Sequence, residues 1–215
     1  MRDIKDSLLE LTEEYGISRT SMFYPIHAAT EIGALKLVEF LLHTERNIND
    51  EDAFHTACHD NQLKIVKLFL ESSRKFDIDI NLKDVDEGKT GFHYACCFGH
   101  IEVVKLMIGS RTKYDIEFDA GDYQGLTPFH LACYNGKTET VRLLLENKKE
   151  LGINIEAKMT DDDGVTFGPL DLVNERIQDG DKDTNANDFS GTKKLLEEEY
   201  AKNDASEPLP KKRAL

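Results

Sequence analysis

A short signature built around a histidine returns four times in this chain, and that return constrains the fold more than any other feature. It reads Pro25-Ile26-His27-Ala28-Ala29, then Ala53-Phe54-His55-Thr56-Ala57-Cys58, Gly91-Phe92-His93-Tyr94-Ala95-Cys96 and Pro128-Phe129-His130-Leu131-Ala132-Cys133. Six positions after each histidine come Gly33, Asn61, Gly99 and Gly136. An apolar stripe follows each of them: Leu37, Val38, Phe40, Leu41 and Leu42; Ile65, Val66, Leu68, Phe69 and Leu70; Val103, Val104, Leu106, Met107 and Ile108; Val141, Leu143, Leu144 and Leu145. A chain with such a period is a row of like modules, not one irregular domain.

Each part of the module has a physical reading. The segment after the histidine predicts a helix of about two turns, with Ala or Cys on its packed side, where small side chains let neighbouring helices come close. The Gly position needs left-handed backbone, which glycine enters without steric cost and asparagine tolerates best among other residues, so Asn61 can stand in. The stripe has helical spacing and predicts a second, more apolar helix. A pair this small cannot bury its apolar face alone, but stacked copies bury it continuously.

The pattern resembles the ankyrin repeat, whose signature is T-P-L-H-x-A. The stretch from Asp122 to Ala132 carries it almost complete, and Glu87 to His93 carries it with Gly91 where the family has proline. The resemblance implies an all-α solenoid of helix pairs with projecting β-hairpin loops. Four repeats and a degenerate C-terminal capping repeat would cover residues 22–201, with a capping helix and linker over 1–21 and a mobile tail over 202–215. The family interval is about 33 residues, whereas His27 to His55 spans 28, His55 to His93 38 and His93 to His130 37. The surplus falls mainly at residues 71–75 and 147–150, about one helical turn, so longer second helices are expected there. The deficit falls at residues 47–52, where the hairpin should be cut short. Three alternating runs, Phe76 to Ile80, Tyr114 to Phe118 and Leu151 to Ile155, read as extended segments entering hairpins.

At the ends, Ile4, Leu8, Leu11 and Tyr15 share a helical face, which predicts an amphipathic capping helix over residues 3–15, with a partner-binding helix as the alternative. Thr166 to Val173 imitates the signature with Phe167-Gly168 inserted and Asp171 in the histidine position. A loop from Asp179 to Gly191 and a polar helix from Thr192 to about Tyr200 should follow. Pro210-Lys211-Lys212-Arg213 reads either as a nuclear-import signal or as a solvated basic end.

Charge then narrows function. The net charge of -14 repels phosphate and counts against nucleic acid, while favouring a basic partner. The most apolar runs, such as Ile101 to Ile108, are broken by charges, so no membrane span is expected. The first twenty residues lack the apolar core of a secretory signal, so the four cysteines are expected as thiols in the cytoplasm, or in the nucleus if the basic tail is an import signal. The pairs His55/Cys58, His93/Cys96 and His130/Cys133 have the look of metal ligands, but zinc needs about four converging donors. They read instead as buried thiols and as imidazoles bonding the backbone between repeats, with no metal and no cofactor. Cys97, one residue beyond the packed Cys96, is the one candidate for a mildly reactive surface thiol. Gly88-Lys89-Thr90 and Gly136-Lys137-Thr138 echo a phosphate loop, but Lys83 and Leu131 stand where its first glycine belongs. Asp181, Asp183, Asn185 and Asn187 alternate like a calcium loop that lacks its sixth-position glycine and twelfth-position glutamate.

By the resemblance, the binding surface is the hairpin tips plus the exposed side of each first helix. On the helices this selects Glu31 and Ile32, His59 and Asp60, Cys97 and Phe98, and Tyr134 and Asn135. At the tips it selects Asp86, Glu87 and Lys89, then Tyr123, Gln124 and Leu126, then Asp162, Asp163 and Val165. Phe98, Tyr123, Leu126 and Tyr134 would be the apolar anchors and the carboxylates would draw a basic partner. The same resemblance puts Asn81 and Asn154 where an oxygen-dependent hydroxylase can act in the family. The expectation is a monomeric, non-enzymatic protein-interaction module, serving as adaptor, scaffold or inhibitor. The alternatives are a regulatory subunit of an enzyme and a calcium-responsive module using the 179–191 loop.

Overall fold

The computed structural model describes residues 25–44, 53–161, 163–180 and 187–206. The expected capping helix over 3–15, the shortened hairpin at 47–52 and the basic tail lie outside them. The first helices are α1 (Pro25–Glu31), α3 (Ala53–His59), α5 (Gly91–Phe98), α7 (Pro128–Tyr134) and α9 (Pro169–Gln178). The second helices are α2 (Leu35–Thr44), α4 (Leu63–Phe76), α6 (Ile101–Gly109), α8 (Thr138–Leu151) and α10 (Phe189–Ser206). First helices pack on first helices along one row and second helices on second helices along the other, so the four signature histidines sit on successive members of one row. Ala29, Ala57, Cys58, Ala95, Cys96, Ala132 and Cys133 are wholly buried where the first helices meet. Among the described residues, no helix is long and apolar enough to cross a membrane.

The turn between paired helices uses the left-handed backbone that the sequence predicts. The φ angles are 69° at Gly33, 57° at Asn61, 72° at Gly99 and 59° at Gly136. Helix starts are set by a reciprocal pair. The Thr90 backbone N–H donates to His93 Nδ1 at 3.0 Å, and the His93 N–H points back to Thr90 Oγ1. Thr127 and His130 repeat this at the head of α7. In α9 the backbone N–H of Gly168 donates to Asp171 Oδ2 at 2.9 Å, so Asp171 fills the histidine's place as an acceptor.

Helices α4 and α8 are 14 residues long, and their surplus falls where the spacing places it. The third interval carries its surplus in another form. Helix α6 stops after nine residues, and Ser110 to Lys113 continue as turns; Gly109 and Ser110 are weak helix formers at that end. The three alternating runs lead into the loops without pairing in a sheet. The second residues of the first and third are in left-handed conformation, Asp77 and Gly152, and their N–H groups close the helix onto Ser73 and Lys148 carbonyls. Their alternation still holds as burial, with Ile78 and Ile80, Ile116 and Phe118, and Ile153 and Ile155 turned inward. The one sheet among the described residues pairs β1 (Met159–Thr160) antiparallel to β2 (Thr166–Phe167), with Met159 opposite Phe167. Helix α10 begins three residues before the expected Thr192 and reaches Ser206. Asp188 caps it by accepting from the Gly191 N–H at 2.7 Å, and buried Phe189 packs against Gly136.

Gly91 departs from the family's proline for a steric reason. It is the first residue of α5, as Pro128 is of α7. A Cβ there would stand 2.7 Å from the Phe54 ring and 2.9 Å from Cys58 Sγ. Proline suits this helix position in general, yet Gly91→Pro is expected to cost about 1–3 kcal/mol through overpacking. Urea denaturation reads the difference, and a stability equal to wild type or higher would show that Phe54 and Cys58 can yield.

Candidate functional site

Three loop tips line one edge of the stack, and each is shaped by an aspartate. Asp84 Oδ1 accepts the N–H groups of Asp86, Glu87 and Gly88 at 3.0, 2.7 and 3.2 Å, while Oδ2 accepts from the Lys89 N–H and the Tyr94 hydroxyl. Asp122 Oδ1 accepts from Gln124 and Leu126 at 2.9 and 2.8 Å, and Asp161 Oδ1 from Asp163 and Val165 at 3.1 and 2.7 Å. Burial pushes the Asp84 carboxyl up, but the hydrogen bonds from Glu87, Tyr94, Lys89 and Gly88 outweigh it and leave the group below its ordinary value. At Asp122 burial prevails over the bonds from Leu126 and Gln124 and holds the carboxyl above its ordinary value. Asp122 opens the stretch that carries the signature, whereas Asp84 and Asp161 stand outside the aligned residues. Their signal is a shared offset, each standing three or four residues before the glycine of its tip.

The tips are joined as well as shaped. The Tyr123 N–H donates to the Glu87 carbonyl at 2.9 Å, and the Tyr123 ring lies directly on Gly88, where a Cβ would come within 2.4 Å of it. The ring's other side faces water, and Tyr123 is 64% exposed. Val85 is 66% exposed on the neighbouring tip and Val165 is 50% exposed on the third. Val85 escaped the sequence reading because the carried-over positions begin one residue later.

The remaining candidate residues divide. Asp86, Glu87, Gln124 and Asp163 are exposed, and Leu126 is half-buried. Lys89 is no projecting cation, since its Nζ pairs with Glu87 Oε2 at 2.6 Å and its side chain is largely covered. Asp162 lies outside the described residues. On the first helices Phe98 is exposed, meeting the His59 ring edge-on at 4.4 Å and stacking on His100 at 5.8 Å. Tyr134 is taken up within the chain: the Arg176 guanidinium lies 4.7 Å over its ring and donates to its hydroxyl. Asn135 Nδ2 donates to Leu131 O and to Cys97 Sγ. Cys97 is half-buried, and burial pushes its thiol above the ordinary value, which corrects the expectation of a reactive surface thiol.

The repeated His-x-x-Cys pairs are spent on architecture. Nε2 of His55, His93 and His130 donates to the carbonyls of Leu82, Leu126 and Ala157 at 2.7, 3.1 and 2.9 Å, each in the following loop. Cys58, Cys96 and Cys133 are buried, and burial raises all three thiols, disfavouring the thiolate that a metal would take. Residues 181–186 of the calcium-like run lie outside the described residues, and Asn187 Oδ1 accepts from Lys137 Nζ at 2.6 Å.

No curated protein matches the chain. Residues 6–84, 26–118 and 76–159 each match the family model for ankyrin repeats (three copies). Such repeats generally act as protein–protein interaction modules and are typically non-catalytic. The matched stretch takes in most of the sequence, together with all the helix pairs from α1 to α8 and the tips formed by Asp84 to Lys89 and Asp122 to Leu126, and on that ground the chain belongs to the ankyrin repeat family.

Proposed function

We propose that this chain is an adaptor, scaffold or inhibitor that grips a partner protein across the loop tips and the exposed side of the first helices. The observation that carries this reading is Tyr123. A large aromatic side chain is held out in water, yet its backbone is tied to Glu87 and its ring rests on Gly88. An anchor fixed in advance loses little freedom on binding, and rigid aromatic residues are typical centres of interface energy. Val85 and Val165 on the other tips and Phe98 on a first helix are further exposed apolar side chains, and Asp86, Glu87 and Asp163 at the tips favour a basic partner. Tyr134 is left out because Arg176 occupies it. Residues 22–201 would form the binding unit, working as a monomer in the cytoplasm or nucleus without a cofactor.

The test pairs Phe98→Ala with Tyr123→Ala. The double variant is expected to unfold within about 0.5 kcal/mol of wild type, as surface changes do. It should bind the partner, isolated by affinity capture on wild type, about 30-fold more weakly, which is about 2 kcal/mol. Unchanged affinity would place the anchors elsewhere, and a variant that unfolds would show the rings to be packing residues.

A further inference from the structure

One aromatic face at the loop tips is open to solvent and held in place from behind. The Tyr123 ring sits on Gly88, where even a Cβ would stand 2.4 Å from its Cδ1, so one face is covered by the neighbouring tip and the other stays in water. Two bonds between the tips keep it there. The Tyr123 N–H donates to the Glu87 carbonyl at 2.9 Å, and Lys83 Nζ reaches across to the Gly121 carbonyl at 2.6 Å. The open face therefore has its position before anything binds.

The tips to either side of this ring carry free charge of one sign. Asp86 on the first tip and Asp163 on the third are exposed, and neither carboxylate has a partner among the described residues. The bases of the first tip are already engaged, Lys83 with the Gly121 carbonyl and Lys89 with Glu87. The face of an aromatic ring is the negative side of its quadrupole and attracts cations. Here that face lies on the tip between two unpaired carboxylates. Within the chain itself a tyrosine face is already met by a guanidinium, since Arg176 lies 4.7 Å over the ring of Tyr134.

We propose that the open face of Tyr123 is the seat for an arginine side chain of the partner protein, with Asp86 and Asp163 drawing the cation in from the flanking tips. This names the chemistry recognised at the tips and rests on their reading as a binding surface. Charge complementarity selects a cation. The planar guanidinium selects arginine over lysine, because it stacks flat on the ring, keeps its in-plane N–H groups free for acceptors, and is more weakly hydrated than an ammonium. A neutral planar side chain could stack but would gain nothing from the carboxylates.

The probe is the capped tripeptide acetyl-Gly-Arg-Gly-amide, titrated into isotope-labelled protein at low ionic strength and followed by NMR. It should shift the Tyr123 ring and the Gly88 amide saturably in the millimolar range. Its own side-chain methylene protons should move upfield, the mark of stacking on a ring face. The lysine peptide should bind at least threefold more weakly, and the citrulline peptide, of like shape without the charge, should give no saturable shift. Tyr123→Phe should bind like wild type, whereas Tyr123→Leu should abolish the upfield shift. Asp86→Asn with Asp163→Asn should weaken binding at least threefold. Neutralising two carboxylates at the starts of second helices, Glu102→Gln with Glu139→Gln, should leave it nearly unchanged. A silent Tyr123, an upfield shift that persists in Tyr123→Leu, equal binding of the lysine and arginine peptides, or equal losses in the two carboxylate pairs would each overturn the proposal. The titration needs no partner, so any of these failures removes the arginine seat alone. A captured partner that binds the Phe98 and Tyr123 double variant unchanged would instead remove the reading of the tips, and this proposal with it.

Discussion

Phe92→Ala is expected to lower the unfolding free energy by about 3–5 kcal/mol. The side chain is 1% exposed, and its ring stands edge-on to Phe118 with centroids 4.9 Å apart. Helix α5 lies between α3 and α7 in the first row, so the ring fills space that two neighbouring repeats share. The structure around such a large-to-small change relaxes only in part. The residual cavity therefore adds to the lost transfer free energy. In a stack where each unit contacts only its neighbours, the damage also weakens coupling on both sides. Urea denaturation followed by circular dichroism should show a lower midpoint, together with a broadened or divided transition. A cost below about 1 kcal/mol would mean that the core is interrupted at this repeat and that the stack is not one continuous spine.

What the sequence discloses about this fold follows from how local each determinant is. The histidine, the small residues after it and the Gly or Asn six positions on act within one helix pair, and each can be recognised from its own chemistry. The helix lengths were half legible. A surplus of four residues fixes how much chain must be placed, but whether it becomes helix, as in α4 and α8, or turns, as after α6, rests on Gly109 and Ser110 at one helix end. The alternating runs enter the loops without joining a sheet, because alternate burial needs only that side chains point in and out by turns, and left-handed Asp77 and Gly152 stand near the start of two of them.

The interaction surface was less legible, since exposure depends on what a distant segment does. Tyr123 and Tyr134 look alike in sequence. One rests on a glycine and keeps a face in water, while the other lies under Arg176, 42 residues further along the chain. Lys89 looks like a projecting cation until Glu87, two residues earlier, turns to meet it. The aspartates at 84, 122 and 161 read as ordinary loop acids, although each organises a tip by collecting backbone N–H groups.

Between pH 7 and pH 5 the protein is expected to lose about 2 kcal/mol of unfolding free energy through His93 alone. The Thr90 backbone N–H can only donate, so His93 Nδ1 must be free of a proton; the Leu126 carbonyl can only accept, so Nε2 must carry one. The folded state therefore holds one neutral tautomer, and protonation at Nδ1 would break the helix-start bond. Burial lowers the pKa to about 4, against the opposing pull of the Leu126 and Ala120 carbonyls and with help from Lys83 and Lys89. Because the folded value lies below the unfolded one, the unfolded chain binds more protons between the two. Stability is thus complete above about pH 6.5 and falls as the pH drops toward the folded value. His130 is lowered by burial in the same direction, partly offset by the Ala157 carbonyl and Asp122, and adds to the loss. Asp122, raised by burial, works in the opposite sense, so the wild-type slope mixes contributions. His93→Gln separates them: the variant should be less stable than wild type at pH 7, yet lose less on acidification to pH 5. Urea midpoints at pH 7, 6 and 5 for both proteins provide the comparison. Parallel pH profiles would mean that His93 is not held neutral, and that the bond from its ring to the next loop is not what ties one repeat to the next.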